Sequence, residues 1–262
     1  MSNAIDIANN EVKLGALQSL MWEAGDAILD VYHRDDFGTE TKGDNSPVTK
    51  ADLAAHHVLV AGLKAITPDI PVVSEEDADS LLIPSTHSVY WLIDPLDGTK
   101  EFIKRNGEFT CNLALIENNH TTLGFVGVPV QDELYVGGSN IASTLTTRAG
   151  HKRAINHGRS DSGTTRVVAS KSHLNEETER FINSLEGEVE LVQAGSSLKF
   201  LKIAVGEADI YPRLAPTCEW DTAAAQAVLE GSGGSVMQTS GEPMRYGKDE
   251  ILNPHFIAKG IK

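Results

Sequence analysis

The sequence predicts a mixed α/β (α+β) chain of layered sheets and helices, with a domain boundary near residue 160. Three observations carry that expectation: helical spacing of apolar residues early in the chain, consecutive strand-like runs in the middle, and strand–helix alternation after the boundary. Leu14, Leu17, Met21, Ala24 and Ile28 recur at helical spacing, so a first helix covers roughly 11–33. Residues 49–66 read as a second, with Thr49 as its N-cap. Apolar runs at 89–93, 111–117, 122–129 and 133–137 read as strands of an antiparallel meander, with Asn118-Asn119-His120 as one hairpin turn. After a polar stretch at 139–164 come strand 166–169, helix 176–185, strand 189–192 and helix 198–205. A strand at 209–211 and an Ala-rich helix at 221–230 follow, with Gly231 as its C-cap. Two units are therefore expected, 1–160 and 161–262.

Composition narrows the function. A chain of 262 residues can bury a substantial core, and 40% hydrophobic with 23% charged residues is ordinary for a soluble globular protein. No apolar run approaches the roughly 18 residues that span a bilayer, and the first residues lack signal-peptide character. Cys111 and Cys218 alone make no disulfide framework and fit a reducing compartment. The expected location is cytoplasmic, with peripheral association at the inner membrane face left open. A net charge of −15 argues against a nucleic-acid polymer as partner, because binding one means neutralising its phosphates. It does not exclude a small phosphorylated substrate, since distant surface charge is screened over about 8 Å. The basic residues between Arg148 and Arg159 read as a solvated loop.

The most informative stretch is Trp91-Leu92-Ile93-Asp94-Pro95-Leu96-Asp97-Gly98-Thr99. It places two carboxylates on a turn after an apolar strand, then Gly98 and Thr99, which can open a helix. Hard divalent cations such as Mg2+ favour such carboxylates, and a helix N-terminus offers free N–H groups to a phosphate. The same residues also make an ordinary Asp-Pro-x-Asp-Gly turn. Ser74-Glu75-Glu76-Asp77 is a second acidic block, which can equally be a solvated loop. Trp220-Asp221-Thr222-Ala223-Ala224 is a third, where Asp221 in a first helical turn is stabilised by the helix dipole without any function. Thr49 and Asp52 have capping-box spacing with Asp in place of Glu.

Taken in order, the acidic pair, the Asp-Pro-x-Asp-Gly-Thr block and the Trp-Asp-x-Ala block resemble the lithium-sensitive, Mg2+-dependent inositol monophosphatase superfamily over nearly the whole chain. That resemblance implies the superfamily's α/β/α/β/α sandwich. Lys100-Glu101-Phe102-Ile103, Ala169-Ser170-Lys171-Ser172-His173, Ala194-Gly195-Ser196-Ser197-Leu198-Lys199 and Ile210-Tyr211-Pro212-Arg213 look like its bacterial 3'(2'),5'-bisphosphate nucleotidase branch.

The resemblance implies two Mg2+ ions, with room for a third, held by Glu75, Asp94, the Leu96 carbonyl, Asp97 and Asp221. Asp52 and Thr99 would aim the attacking water, and the Gly98 and Thr99 amides would hold the phosphate. Ser170, His173, Gly195, Ser196, Lys199, Arg213 and Glu219 would contact the rest of the substrate, with Lys199 and Arg213 at a second phosphate and Glu219 at the ribose. Bland alternatives stand beside these: a surface lysine, a surface ion pair and a loop histidine. Ala215 stands where close relatives usually carry Gly, so the loop leading to Glu219 is expected to differ slightly. The implied reaction removes the 3'-phosphate of adenosine 3',5'-bisphosphate (PAP) in sulfate assimilation by a monomer or weak homodimer. An inositol or sugar monophosphatase and a non-catalytic nucleotide-binding protein are the alternatives.

Overall fold

Strand alternation sorts the apolar residues of the central strands onto two faces, and each face gathers its own helices. The computed structural model describes residues 3–41, 47–156, 163–169 and 175–260. Helices α1 (Asn3–Ala8) and α2 (Glu11–Tyr32) lead to a small antiparallel pair, β1 (Glu40–Thr41) with β2 (Pro47–Val48), and then α3 (Lys50–Ile66). Strands β3 (Val72–Ser74), β4 (Val89–Asp97), β5 (Thr110–Glu117), β6 (His120–Val128), β7 (Glu133–Gly138), β8 (Ile141–Thr147) and β9 (Lys152–Ala154) form one sheet in sequence order. Only the β3–β4 pair is parallel; helix α4 (Thr99–Ile103) interrupts the meander after β4.

The second sheet is built from β10 (Thr164–Ala169), β11 (Glu188–Gln193), β12 (Ile210–Arg213), β13 (Ser235–Gln238) and β14 (Phe256–Lys259), ordered β11-β10-β12-β14-β13. Helix α5 (Glu176–Asn183) joins β10 to β11, α6 (Leu198–Ala204) joins β11 to β12, and α7 (Ala223–Gly231) follows β12.

One core cluster joins Leu17, Met21 and Ile28 of α2 and Leu59 and Leu63 of α3 to Trp91, Ile93, Leu113 and Phe125 of the large sheet. The other joins the intervening residues Tyr90, Leu92, Ala114 and Val126 to Phe200 and Leu201 of α6, Ala224 and Val228 of α7, and Tyr211 and Phe256 of the second sheet. Helices α6 and α7 are thus sandwiched between the sheets. The two parallel crossovers of the second sheet run in opposite directions, so right-handedness sends α5 and α6 to opposite faces. The result is the five-layer α/β/α/β/α stack. Every residue of β5 is buried, as a strand covered on both faces requires.

Several local expectations are refined. Asn118 and Asn119 both take positive φ, 51° and 65°, the conformation of a tight two-residue hairpin. The stretch 139–164 contains β8, Ser/Thr-rich, and β9, short and exposed, which hide strand character because few of their positions face the core. Closing strands β13 and β14 carried too short a pattern to read. Helix α7 begins at Ala223 rather than 221, and Gly231 lies inside its last turn. That glycine answers to close packing, since a Cβ there would sit 2.5 Å from the Ile141 carbonyl oxygen.

Gly124 has the same character: a Cβ would lie 2.2 Å from the Ala224 carbonyl oxygen, so β6 meets the α7 backbone directly. Gly124→Ala is therefore expected to destabilise by about 1–3 kcal/mol through overpacking. Gly15→Ala on α2, with nothing within 4 Å, is expected to be neutral or stabilising. Thermal unfolding of the two variants checks the contrast; equal midpoints would contradict the packing account.

Candidate active site

Parallel pairing of β3 with β4 brings their C-terminal ends to one sheet edge, Ser74 opposite Ile93, so the next residue, Glu75, stands beside Asp94. The Glu75 amide donates to the Ile93 carbonyl at 3.2 Å. At that edge the β4–β5 register shifts between Asp94 and Asp97, a bulge around Pro95, which cannot donate to a ladder. The Asp94 carboxylate accepts the Leu96 N–H at 3.1 Å and is buried. Asp221 arrives from the loop before α7, and one carboxylate oxygen each from Glu75, Asp94 and Asp221 lie within 4.8 Å of one another. Asp97 is the fourth acid; its Oδ2 accepts the Ser196 hydroxyl and the Ser197 N–H, both at 2.6 Å, at the start of α6.

Burial, with Glu75, Asp97 and Asp221 close by, holds the Asp94 carboxyl well above the usual carboxylate range. Burial and the Asp97 charge push Asp221 up to about 8, partly opposed by the Cys218 N–H that donates to it at 2.8 Å. So much like charge in one buried spot calls for a cation. The clustered donors are all carboxylate oxygens, and they fit a hard divalent ion such as Mg2+. Among the described residues this is the only group of three or more acidic, His or Cys side chains close enough to hold a metal.

Asp52 works with both oxygens. Its Oδ2 completes the capping box of α3, accepting the Thr49 N–H at 2.7 Å and the Thr49 hydroxyl at 2.6 Å. Its Oδ1 accepts the Thr99 hydroxyl at 3.2 Å. Burial raises its pKa. Thr99 Oγ1 also lies 3.4 Å from the carbonyl oxygen of Leu96, in the turn between Asp94 and Asp97. Gly98 caps α4 at φ 95°, where a Cβ would press on the Glu108 carbonyl and Ser196.

An open cleft of about 140 Å³ is lined by Asp97, Gly98, Asp221, Gly195, Ser196, Lys199 and Arg213. Lys199 is buried, its Nζ is 5.5 Å from the Tyr211 ring centroid, and burial pushes its ammonium down to about 8. Arg213 is held by the carbonyls of Ala215 (3.1 Å) and Pro216 (2.6 Å), so the loop carrying the Gly-to-Ala departure folds back onto it. Ser170 and His173 lie outside the described residues. Tyr211, Glu101, Phe200, Thr217 and Thr222 also line the cleft without having been singled out as site residues. Tyr211 was within reach, because strand period 2 puts it on the same face as Arg213.

Glu219 is not among the residues that line the cleft; it is buried, accepting the N–H groups of Gly247 (2.7 Å) and Lys248 (3.2 Å) and the Lys248 ammonium.

A five-layer α/β sandwich with an oxygen-rich cation site at the edge of its large sheet defines the class. The inositol monophosphatase family model matches residues 9–261, and the chain belongs to that family. It is 45% identical over 239 residues to a 3'(2'),5'-bisphosphate nucleotidase CysQ of Escherichia coli O6:H1, covering 89% of this chain and 94% of the relative. It is 37% identical to a CysQ of the same description from Buchnera aphidicola, covering 99% and 98%. The crystal structure of CysQ from Bacteroides thetaiotaomicron superposes with a TM-score of 0.86 at 38% identity, covering 97% and 99%.

Asp221 supplies a stability test. A carboxyl raised from 3.8 to about 8 favours the folded state only while protonated, so without metal the contribution is lost as pH climbs from about 4 to 8. Metal-free Asp221→Asn at pH 8 is expected to be more stable than the parent, on the order of 2 kcal/mol. Added Mg2+ should raise the parent's melting temperature more than the variant's. Differential scanning fluorimetry across pH decides it; a destabilised metal-free variant would contradict the repulsion account.

Proposed function

We propose that the chain is a Mg2+-dependent 3'(2'),5'-bisphosphate nucleotidase that hydrolyses the 3'-phosphate of PAP to AMP and phosphate. The observation that carries this reading is one cleft lined both by acids of the oxygen-donor cluster, Asp97 and Asp221, and by the cations Lys199 and Arg213. A substrate with two phosphates would use both; an inositol monophosphate would leave the cations unused. Similarity to CysQ nucleotidases over 89% of the chain supports the same substrate.

Glu75, Asp94 and the Leu96 carbonyl would hold one ion, and Asp94, Asp97 and Asp221 a second, with room for a third. When bound, the ions supply an activated water and neutralise charge on the phosphoryl group and the departing oxygen. The Thr99 hydroxyl donates a hydrogen bond to Asp52 Oδ1, which leaves the hydroxyl's own lone pairs free to accept from the attacking water and fix its direction. The Gly98 and Thr99 amides cradle the phosphoryl oxygens at the start of α4. Gly195 and Ser196 shape the cleft wall, while Lys199 and Arg213 bind the second phosphate, Arg213 through its planar fork. The bond broken joins phosphorus to the 3'-oxygen, which leaves with a proton as the ribose hydroxyl, while water's oxygen ends in inorganic phosphate.

Phosphate release from PAP and from inositol 1-phosphate tests the assignment. Two charge-assisted contacts predict a kcat/KM preference for PAP of about 100-fold or more. A preference for the inositol ester would overturn it. Thr99→Val should lower kcat by about 100-fold with little change in PAP affinity. Because Lys199 loses its proton near pH 8, KM for PAP should rise above that pH while KM for the inositol ester stays flat.

A further inference from the structure

The loop that carries Asp221 is gripped from outside by one stretch of chain, residues 246–253. Glu219, 1% exposed, sits in a concave nest formed by the consecutive N–H groups of Gly247 and Lys248, closed by the Lys248 ammonium. Gly247 takes φ 72°, the left-handed conformation that turns both amides toward one anion. Asn253 grips the other side: its Nδ2 donates to the Cys218 carbonyl at 2.7 Å and the Thr222 hydroxyl at 3.0 Å, and its N–H to the Thr217 carbonyl at 2.8 Å. The Glu219 N–H donates to Ile251 O at 3.0 Å. Cys218 is thus held through its carbonyl by Asn253, while its own N–H holds the Asp221 carboxylate.

We propose that Glu219, Lys248 and Asn253 are positioning residues for the divalent-cation site. They fix the 217–222 loop so that Asp221 is kept beside Glu75 and Asp94. The need is physical: like charges repel, and an untethered loop would relax by swinging Asp221 outward. The clamp uses a buried carboxylate with three donors and a side-chain amide, both far stiffer than a solvated turn. Glu219, Lys248 and Asn253 do not themselves line the cleft, so their first effect is on the cation site that Asp221 completes. The proposal rests on reading the acidic cluster as the Mg2+ site of a nucleotidase.

Lys248→Met removes the ammonium but keeps the stem, at a side chain 28% exposed, and Asn253→Ser shortens the second grip. Calorimetric titration of the full chain with Mg2+, without substrate, should show affinity weakened by about 10-fold in each, the usual cost of losing a group that orients a metal ligand. Lys248→Arg should restore it. At saturating Mg2+, KM for PAP should match the parent. Parent-like Mg2+ affinity in the folded variants would overturn the proposal. So would a loss confined to KM for PAP, because Glu219 or Lys248 would then touch substrate. If Mg2+ affinity falls as expected but the parent releases no phosphate from PAP, the clamp stands and the nucleotidase reading falls.

Discussion

Mutual repulsion among four carboxylates at the edge of the large sheet is the constraint around which the rest is arranged. Glu75, Asp94 and Asp221 come within 4.8 Å of one another, with Asp97 close enough to raise the pKa of two of them. No local preference brings such groups together. They are held there by a parallel strand pair, a bulge and a loop tied to distant chain, and their crowded charge costs stability when no cation is present. A protein keeps such an arrangement because the strain is repaid on binding a hard ion.

The same constraint explains the placement of α6 and α7 between the sheets. Asp97 sits at the start of α6, taking the Ser197 N–H at 2.6 Å, and α6 carries Lys199. One carboxylate thus joins the acidic cluster to the helix that bears the cation across the cleft. Behind it, the hydroxyls of Ser196 and Ser197 meet Thr110 of β5 at 2.6 and 2.8 Å, and Ser197 reaches Asn112 at 3.0 Å. This buried polar network ties the second half of the chain to the large sheet. Directional bonds of this kind set spacing where apolar packing would tolerate slip.

Legibility in the sequence followed locality. Asp94, Asp97, Gly98 and Thr99 could be read because strand, bulge and helix start fall within one short run, and Thr49 with Asp52 because a capping box spans four residues. The long helices α2 and α3 were readable from periodicity, whereas β8 and β9 were not, since a strand with few core-facing positions shows no alternation. Glu75 and Asp221 needed the family resemblance, because nothing local distinguishes a ligand from a solvated acid. Glu219 shows the limit most clearly. Its position two residues from Asp221 made a substrate role natural, yet its partners, Gly247 and Lys248, are nearly thirty residues away, and only the fold brings them to it.

Charge raises the last question, because the polypeptide carries −15 and its proposed substrate is strongly anionic. Acids spread over the surface act weakly at the cleft, being screened by solvent and salt within about 8 Å. Inside it the balance is local: Lys199 and Arg213 line the cleft, and the carboxylates that share it become attractive to a phosphate only with divalent ions between them. The surface charge then penalises bulky polyanions, which must lie along it, more than a small nucleotide that enters the cleft. An acidic exterior around a cation-lined interior therefore favours a mononucleotide over a nucleic acid, and the two signs of charge serve one selectivity.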